Sequence, residues 1–421
     1  MSTKSKFFYG WIIVLSSFVM LFVSQAYTLG GLSVFDKEIL GEFGWTVGDY
    51  KLKGLITFLF AGLLAPFMGA LADKYGVRPL MIVGTFLLAM GYFFYSKIAT
   101  LTHVYLIHVL FAGALASAGL VVNVMLVSRW FNKRRGTALG LILMGTSLGN
   151  MIVPKINVQL ISTFQWRPSF VYLAIVPLIL IPIILFIVKE YPSNMGVKPD
   201  GATDDESDES SAEQIEKGGM AYGDAMKNRN FWELTIIAMC TFYAILALAD
   251  HMFLFMLGQG HTPQTAASGL SVLFGLALIG KFFFGFLSDH MDKQKVFNIN
   301  IGTMFAGVVV LVIDPQALLW PAVILIGLGW GGLYTLLQIL TAHIFGMKAF
   351  GKIMGTMSIL DAFGGGMGMW LTGVLYDKTG SYTLPFNVIA VLVGIAFVLS
   401  FLIKNSSTTP VLSEGEMKSV K

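Results

Sequence analysis

The chain has 421 residues, of which 56% are hydrophobic and 12% charged, against about 25% charged in soluble domains. That much apolar surface excludes an ordinary water-soluble fold and makes lipid the expected solvent. The net charge of +4 is small, and its placement along the loops says more than its sum, so no nucleic-acid partner is expected.

Lys4 and Lys6 precede an apolar run that begins near Phe8 and continues past Tyr27. The run is too long for the core of a cleavable signal and reads as a first, retained spanning helix. A helix needs about 20 apolar residues to cross a bilayer. Twelve windows meet that need, roughly 8–32, 52–72, 79–97, 103–128, 136–160, 168–189, 231–257, 264–288, 295–313, 318–343, 351–375 and 383–404. The predicted class is an all-α integral membrane protein with twelve transmembrane helices in two pseudo-symmetric six-helix bundles. The expected division is an N-terminal bundle over 1–190, an acidic linker over 191–230, a C-terminal bundle over 231–404 and a tail over 405–421. Within the linker, Asp204-Asp205-Glu206-Ser207-Asp208-Glu209 is nearly free of apolar residues, which predicts a mobile segment.

The halves echo each other at a constant offset. Gly69-Ala70-Leu71-Ala72-Asp73-Lys74 closes the second window and Gly285-Phe286-Leu287-Ser288-Asp289-His290 the eighth, while Gly44 and Thr46 answer to Gly260 and Thr262. Repeats of this kind, with a site between them at mid-membrane, are how many secondary transporters are built. Lys and Arg concentrate on the side of the N-terminus, as Lys74, Arg78, Arg129, Lys133, Arg134, Arg135, Lys348 and Lys352. The other side has Lys37, Lys51, Lys53, Lys97, Arg167 and Lys378 spread over six loops and helix ends. By the positive-inside rule both termini are expected in the cytoplasm. The lone cysteine, Cys240, excludes an intrachain disulfide and a cysteine-based metal cluster. No cofactor is expected.

The run from Gly69 through Asp73, Lys74, Gly76 and Arg78 to Pro79 resembles the loop signature of the major facilitator superfamily. Further motifs are Phe8-Tyr9-Gly10-Trp11, Glu42-Phe43-Gly44-Trp45, Ser128-Arg129-Trp130-Phe131 with Lys133 to Ala138, and Gly373 to Tyr382. Together they are similar to the monocarboxylate transporter branch, including relatives of the oxalate–formate antiporters. The resemblance implies a transporter that works as a monomer in a bacterial inner membrane and rocks its halves around one site. It implies gating by Asp73, Arg78 and Asp289, although Lys74 and Arg78 can also serve only to set topology. The branch typically grips a carboxylate with an Arg on helix 8, and Lys281 stands where that Arg is expected. His251 matches a His that bacterial members often carry on helix 7, which implies a hydrogen bond to the substrate or a part in proton coupling.

Ionisable residues inside spanning helices are functional candidates by default. Lys281 lies about 12 Å and Asp361 about 15 Å in from the same face, counted along their helices. One cation and one acid at similar depth suit a monoanion taken up with a proton, or a zwitterion, better than a dianion. Asp250 is a second candidate for proton coupling, or else a hydrated residue of an outer vestibule. Tyr334 and Gln338 share one face of helix 10, and Tyr27 and Asn123 complete the polar candidates for substrate contact. The expected partners are therefore a small organic anion, protons and the lipid bilayer. A membrane-bound metabolite sensor and an anion exchanger are the alternatives. An enzyme is disfavoured because no His-Glu-x-x-His, Gly-x-Ser-x-Gly or phosphate-binding loop occurs.

Overall fold

The computed structural model describes residues 8–200 and 219–403. Among them lie twelve long helices: α1 (Gly10–Ser33), α2 (Val47–Tyr75), α3 (Val77–Tyr95), α4 (Leu101–Trp130), α5 (Arg135–Phe164), α6 (Trp166–Ile187), α7 (Arg229–Gly258), α8 (Pro263–His290), α9 (Lys293–Ile313), α10 (Leu319–Phe345), α11 (Phe350–Thr379) and α12 (Thr383–Ser400). All but α11 are long and apolar enough to cross a bilayer. α11 has 30 residues, but its apolarity is diluted by glycines and by Lys352, Asp361, Asp377 and Lys378. Below, the face from which α1 sets out is the near face and the opposite one the far face.

The echoed residues have a structural reason. Gly44 and Gly260 both adopt positive φ, at 65° and 85°, a conformation that glycine enters without steric cost. Two residues on, Thr46 and Thr262 cap α2 and α8 by accepting from the backbone N–H of Asp49 and Thr265. A side-chain oxygen there satisfies one of the N–H groups a helix start leaves open. Each half thus restarts its second helix in the same way.

The buried apolar side chains form two clusters. One runs from Ile13 to Val188; the other is drawn mainly from Ala225 to Ile403. The halves meet where α2 packs on α11 and α5 on α8. Small residues allow the closest approaches: a Cβ on Gly373 would lie 3.0 Å from the Gly48 Cα. Within the second half, α8 and α10 pack just as tightly. A Cβ on Gly331 would run into the Ala277 carbonyl oxygen and lie 2.7 Å from the Lys281 amide nitrogen. Overpacking of this kind costs about 1–3 kcal/mol. Gly331→Val is therefore expected to lower the melting temperature of the detergent-solubilised protein, read by loss of the monodisperse size-exclusion peak after heating.

Two helices are broken rather than continuous. α1 breaks at Leu29 (φ −130°, ψ −104°), and α5 holds the break: Asn150 Oδ1 accepts from the Gly30 N–H at 2.8 Å, and Asn157 Nδ2 donates to the Gly31 carbonyl at 2.7 Å. α4 breaks at Gly119. A short helix, Asp36–Phe43, follows α1 on the far face. Its Glu42 accepts from Arg167 and from Trp166 at the start of α6, each at 2.7 Å. The Arg167 hydrogen bond holds the Glu42 carboxyl below its usual range.

The described ends of the linker are tied to the bundles. Residues Pro192–Met195 form a 3-10 turn, and the Asp200 carboxylate accepts from the Arg134 N–H at 2.9 Å. Beyond the undescribed segment, Met220 donates to the Phe345 carbonyl and Tyr222–Lys227 is helical. The acidic run at 204–211 and the tail at 405–421 lie outside the described residues.

Candidate functional site

Between the halves at mid-depth lies a cavity of about 360 Å³. Its walls are mostly apolar, with Phe58, Phe242, Phe274 and Trp330 prominent. Lys281 from α8, Tyr334 from α10 and Asp361 from α11 all line it. These three sequence candidates are brought together.

Lys281 reaches across the cavity to the other half. Its Nζ donates to Ser147 Oγ at 2.8 Å and to Thr146 Oγ1 at 3.1 Å on α5, with the Leu143 carbonyl at 3.4 Å. Lys281 and Asp361 share the cavity without pairing: among the described residues no ion pair includes either. The ammonium is satisfied by neutral oxygens, so its charge is uncompensated by any carboxylate in contact. Leu143, Thr146, Ser147 and Asn150 are spaced by three and four residues and therefore share one face of α5. The spacing makes that polar face readable in the sequence but not the helix that it meets, and Gln25 of α1 also lines the cavity.

The other candidates do not line the cavity. Asn123 is fully buried and its Nδ2 donates to the carbonyls of Ala118 and Gly119, which stitches the break in α4. His251 is fully buried. Its Nδ1 lies 3.1 Å from the Tyr382 hydroxyl and its Nε2 2.8 Å from the Met369 carbonyl, so it ties α7 to α11 and to the start of α12. Tyr27 packs its ring on Tyr92 at 4.6 Å. Gln338 lies one turn beyond Tyr334, outside the lining.

Asp250 is buried rather than set in an open vestibule. It is 6% exposed, and its Oδ2 lies 2.8 Å from Lys51 Nζ, which also donates to the Asp250 carbonyl at 2.7 Å. Lys51 pairs in addition with Asp36, and Asp36 with Lys53 at 2.8 Å. The Lys53 ammonium sits 3.5 Å from the centre of the Tyr50 ring. Lys51 and Lys53 are thus buried partners rather than loop charges. α2 starts at Val47, five residues before the predicted window, so both fall inside the helix.

A second clasp joins the halves nearby. Asp377, at the far end of α11, accepts from the backbone N–H groups of Val47 and Gly48 at 2.9 and 2.6 Å. A carboxylate is well placed at a helix start, where N–H groups are open and the dipole is positive. Among the described residues, the hydrogen bonds and ion pairs between the halves lie at mid-depth or toward the far face. On the near face Arg129 pairs with Asp73 at 3.6 Å and Glu190 at 3.9 Å, all within the first half. The Arg78 amide donates to Glu190, and Asp289 is exposed. Among the described residues, the gating candidates make no hydrogen bond or ion pair across the halves in this conformation, which is clasped on the far face.

Two bundles of six long helices around a central cavity with an unmatched cation have the architecture of a membrane transporter. The family model for the Major Facilitator Superfamily matches residues 7–365 and 262–420, and the chain belongs to that family. It is 25% identical over 386 residues to monocarboxylate transporter 13 of Rattus norvegicus, covering 90% of this chain and 85% of the rat protein. It is 25% identical over 352 residues to the oxalate:formate antiporter of Oxalobacter formigenes, covering 79% of this chain and 77% of that one. Among solved structures, a bacterial homologue of the human lysosomal transporter Spinster, inward-facing and unoccupied, superposes with a TM-score of 0.74 at 16% identity, over 97% of this chain and all of that one.

Proposed function

We propose that this chain is a secondary transporter of a small organic monoanion, driven by protons and working by alternating access. The observation that carries the reading is Lys281, a cavity cation whose partners are hydroxyls and a carbonyl instead of a carboxylate. An ammonium has three donors and no acceptor, and an incoming carboxylate can replace the neutral oxygens with a charge. The names of the rat and Oxalobacter relatives support the substrate class. The cavity volume suits a molecule of a few heavy atoms, and its apolar walls would take a short hydrocarbon.

In this reading the near face is cytoplasmic, both termini lie there, and the membrane is a bacterial inner membrane. The units that rock are residues 1–190 and 231–404, joined by 191–230, and one chain suffices. Asp361, in the same cavity, carries the proton. Asp73, Arg78 and Asp289 take part in closing the near face when the far face opens.

Uptake of labelled formate, acetate and lactate into proteoliposomes with an inward proton gradient tests this. Gradient-dependent accumulation of at least one of them is expected. Failure of all three, even with unlabelled anion preloaded, would defeat the carboxylate reading. The antiporter relative favours anion exchange as the second reading. Rapid counterflow with no response to the gradient would establish it.

A further inference from the structure

The far-face clasp has an asymmetric charge distribution. The first half contributes Asp36, Lys51 and Lys53, one carboxylate against two ammonium groups. Among the described residues the second half contributes only Asp250, which brings the cluster to neutrality. All four side chains are nearly inaccessible, so the balance has to be met by contact rather than by water.

Asp250 belongs mechanically to the second half. The next residue, His251, is hydrogen-bonded to the Met369 carbonyl and the Tyr382 hydroxyl, so α7 moves with α11 and α12. When the far face opens, Asp250 departs with them. Lys51 then keeps Asp36, which it shares with Lys53, and the first half is left with one cation in excess. That cation is near the central site: Leu246 lines the cavity, and Asp250 is one helical turn, about 6 Å, further along α7.

We infer that Lys51 is a second carboxylate-binding site, occupied by the protein's own Asp250 when the far face is shut and by the substrate's carboxylate when it is open. The inference rests on the proposed function, because it takes the cargo to be a small carboxylate and the halves to rock. Asp250 and the substrate compete for one ammonium. The arriving anion replaces the neutralising charge that opening removes, and closure returns Asp250 to Lys51 and releases the anion toward Lys281. The exchange couples gate closure to movement of the cargo from the far rim to the central site.

The test is the side-resolved KM for labelled formate, acetate or lactate, measured in right-side-out and inside-out vesicles. Lys51→Gln is expected to raise the far-side KM at least tenfold, whereas Asp250→Asn lowers it by removing the competitor. Lys51→Arg keeps the cation and is expected to restore the far-side KM to within about threefold. A clasp that served only to hold the face shut would loosen in both Lys51→Gln and Asp250→Asn, and both would then shift the far-side KM downward. Shifts in the same direction, or an unchanged KM in Lys51→Gln, would overturn the inference. Should Lys51→Gln fail to fold, a Lys51→Arg protein whose far-side KM does not fall when Asp250→Asn is added overturns it too. Absence of wild-type uptake would sink the carboxylate reading and this site with it, while normal wild-type uptake with uniform shifts would sink the Lys51 site alone.

Discussion

Replacing Lys281 with alanine is expected to raise the KM for a small carboxylate by about 30-fold or more. Truncating one partner of a buried, hydrogen-bonded charge contact typically costs about 2–5 kcal/mol, and each 1.4 kcal/mol is a factor of ten in affinity. The site gives no substitute. Among the described cavity-lining residues Lys281 is the one cation, and the remaining polar groups are neutral apart from Asp361, which offers an anion no positive charge whether protonated or not. Lys281→Arg separates charge from shape. An arginine keeps the positive charge but presents a planar fork in place of a compact ammonium, so it is expected to recover part of the affinity. The measurement is initial-rate uptake over a range of substrate concentrations, alongside size-exclusion profiles of each variant. Equal KM in the wild type and Lys281→Ala would mean that the anion is held elsewhere.

The fold was legible because each span is a local property. Length and apolarity mark eleven helices directly, and the echo of Gly44 and Thr46 in Gly260 and Thr262 corresponds to matching stop–restart geometry in the two halves. The start of α2 was misjudged for an informative reason. Lys51, just outside the predicted window, and Lys53, just inside it, look like the end of a span when read alone, and are buried within the helix where Asp36 and Asp250 neutralise them. The second of these is 199 residues away. The site divides along the same line. The depth of Lys281 and Asp361 follows from helical rise, and both do line the cavity. Whom each touches depends on the rotation of α8 against α5, which no local pattern encodes, so Thr146 and Ser147 were missed as the partners of Lys281. Asn123 and His251 are the converse case. Their chemistry suggested ligands, but a polar side chain in a membrane helix also bonds the nearest helix, and both are committed to carbonyls or hydroxyls within their own half.

Asp361→Asn is expected to abolish accumulation driven by a proton gradient while leaving anion exchange nearly intact. Asp361 is 5% exposed, lines the same cavity as Lys281, and has no cation in contact. Asparagine reproduces the size and neutrality of the protonated acid but cannot release a proton on the other side. One proton carried with one monoanion makes the loaded step electroneutral, so an inward gradient of about one pH unit supports a tenfold accumulation ratio, equivalent to about 1.4 kcal/mol. The wild type should approach that ratio and be indifferent to an imposed membrane potential. In Asp361→Asn the ratio should fall to about one. Counterflow of preloaded anion should stay within about threefold of the wild-type rate, because exchange needs the loaded carrier to reorient but never asks the acid to give up its proton. Full gradient-driven accumulation in Asp361→Asn would remove Asp361 from the proton path and leave Asp36 and Asp250, the buried carboxylates that meet at Lys51, as the next candidates. Loss of exchange and accumulation together would instead place Asp361 in anion binding or in packing of the cavity, and a separable loss is what distinguishes a proton carrier from either.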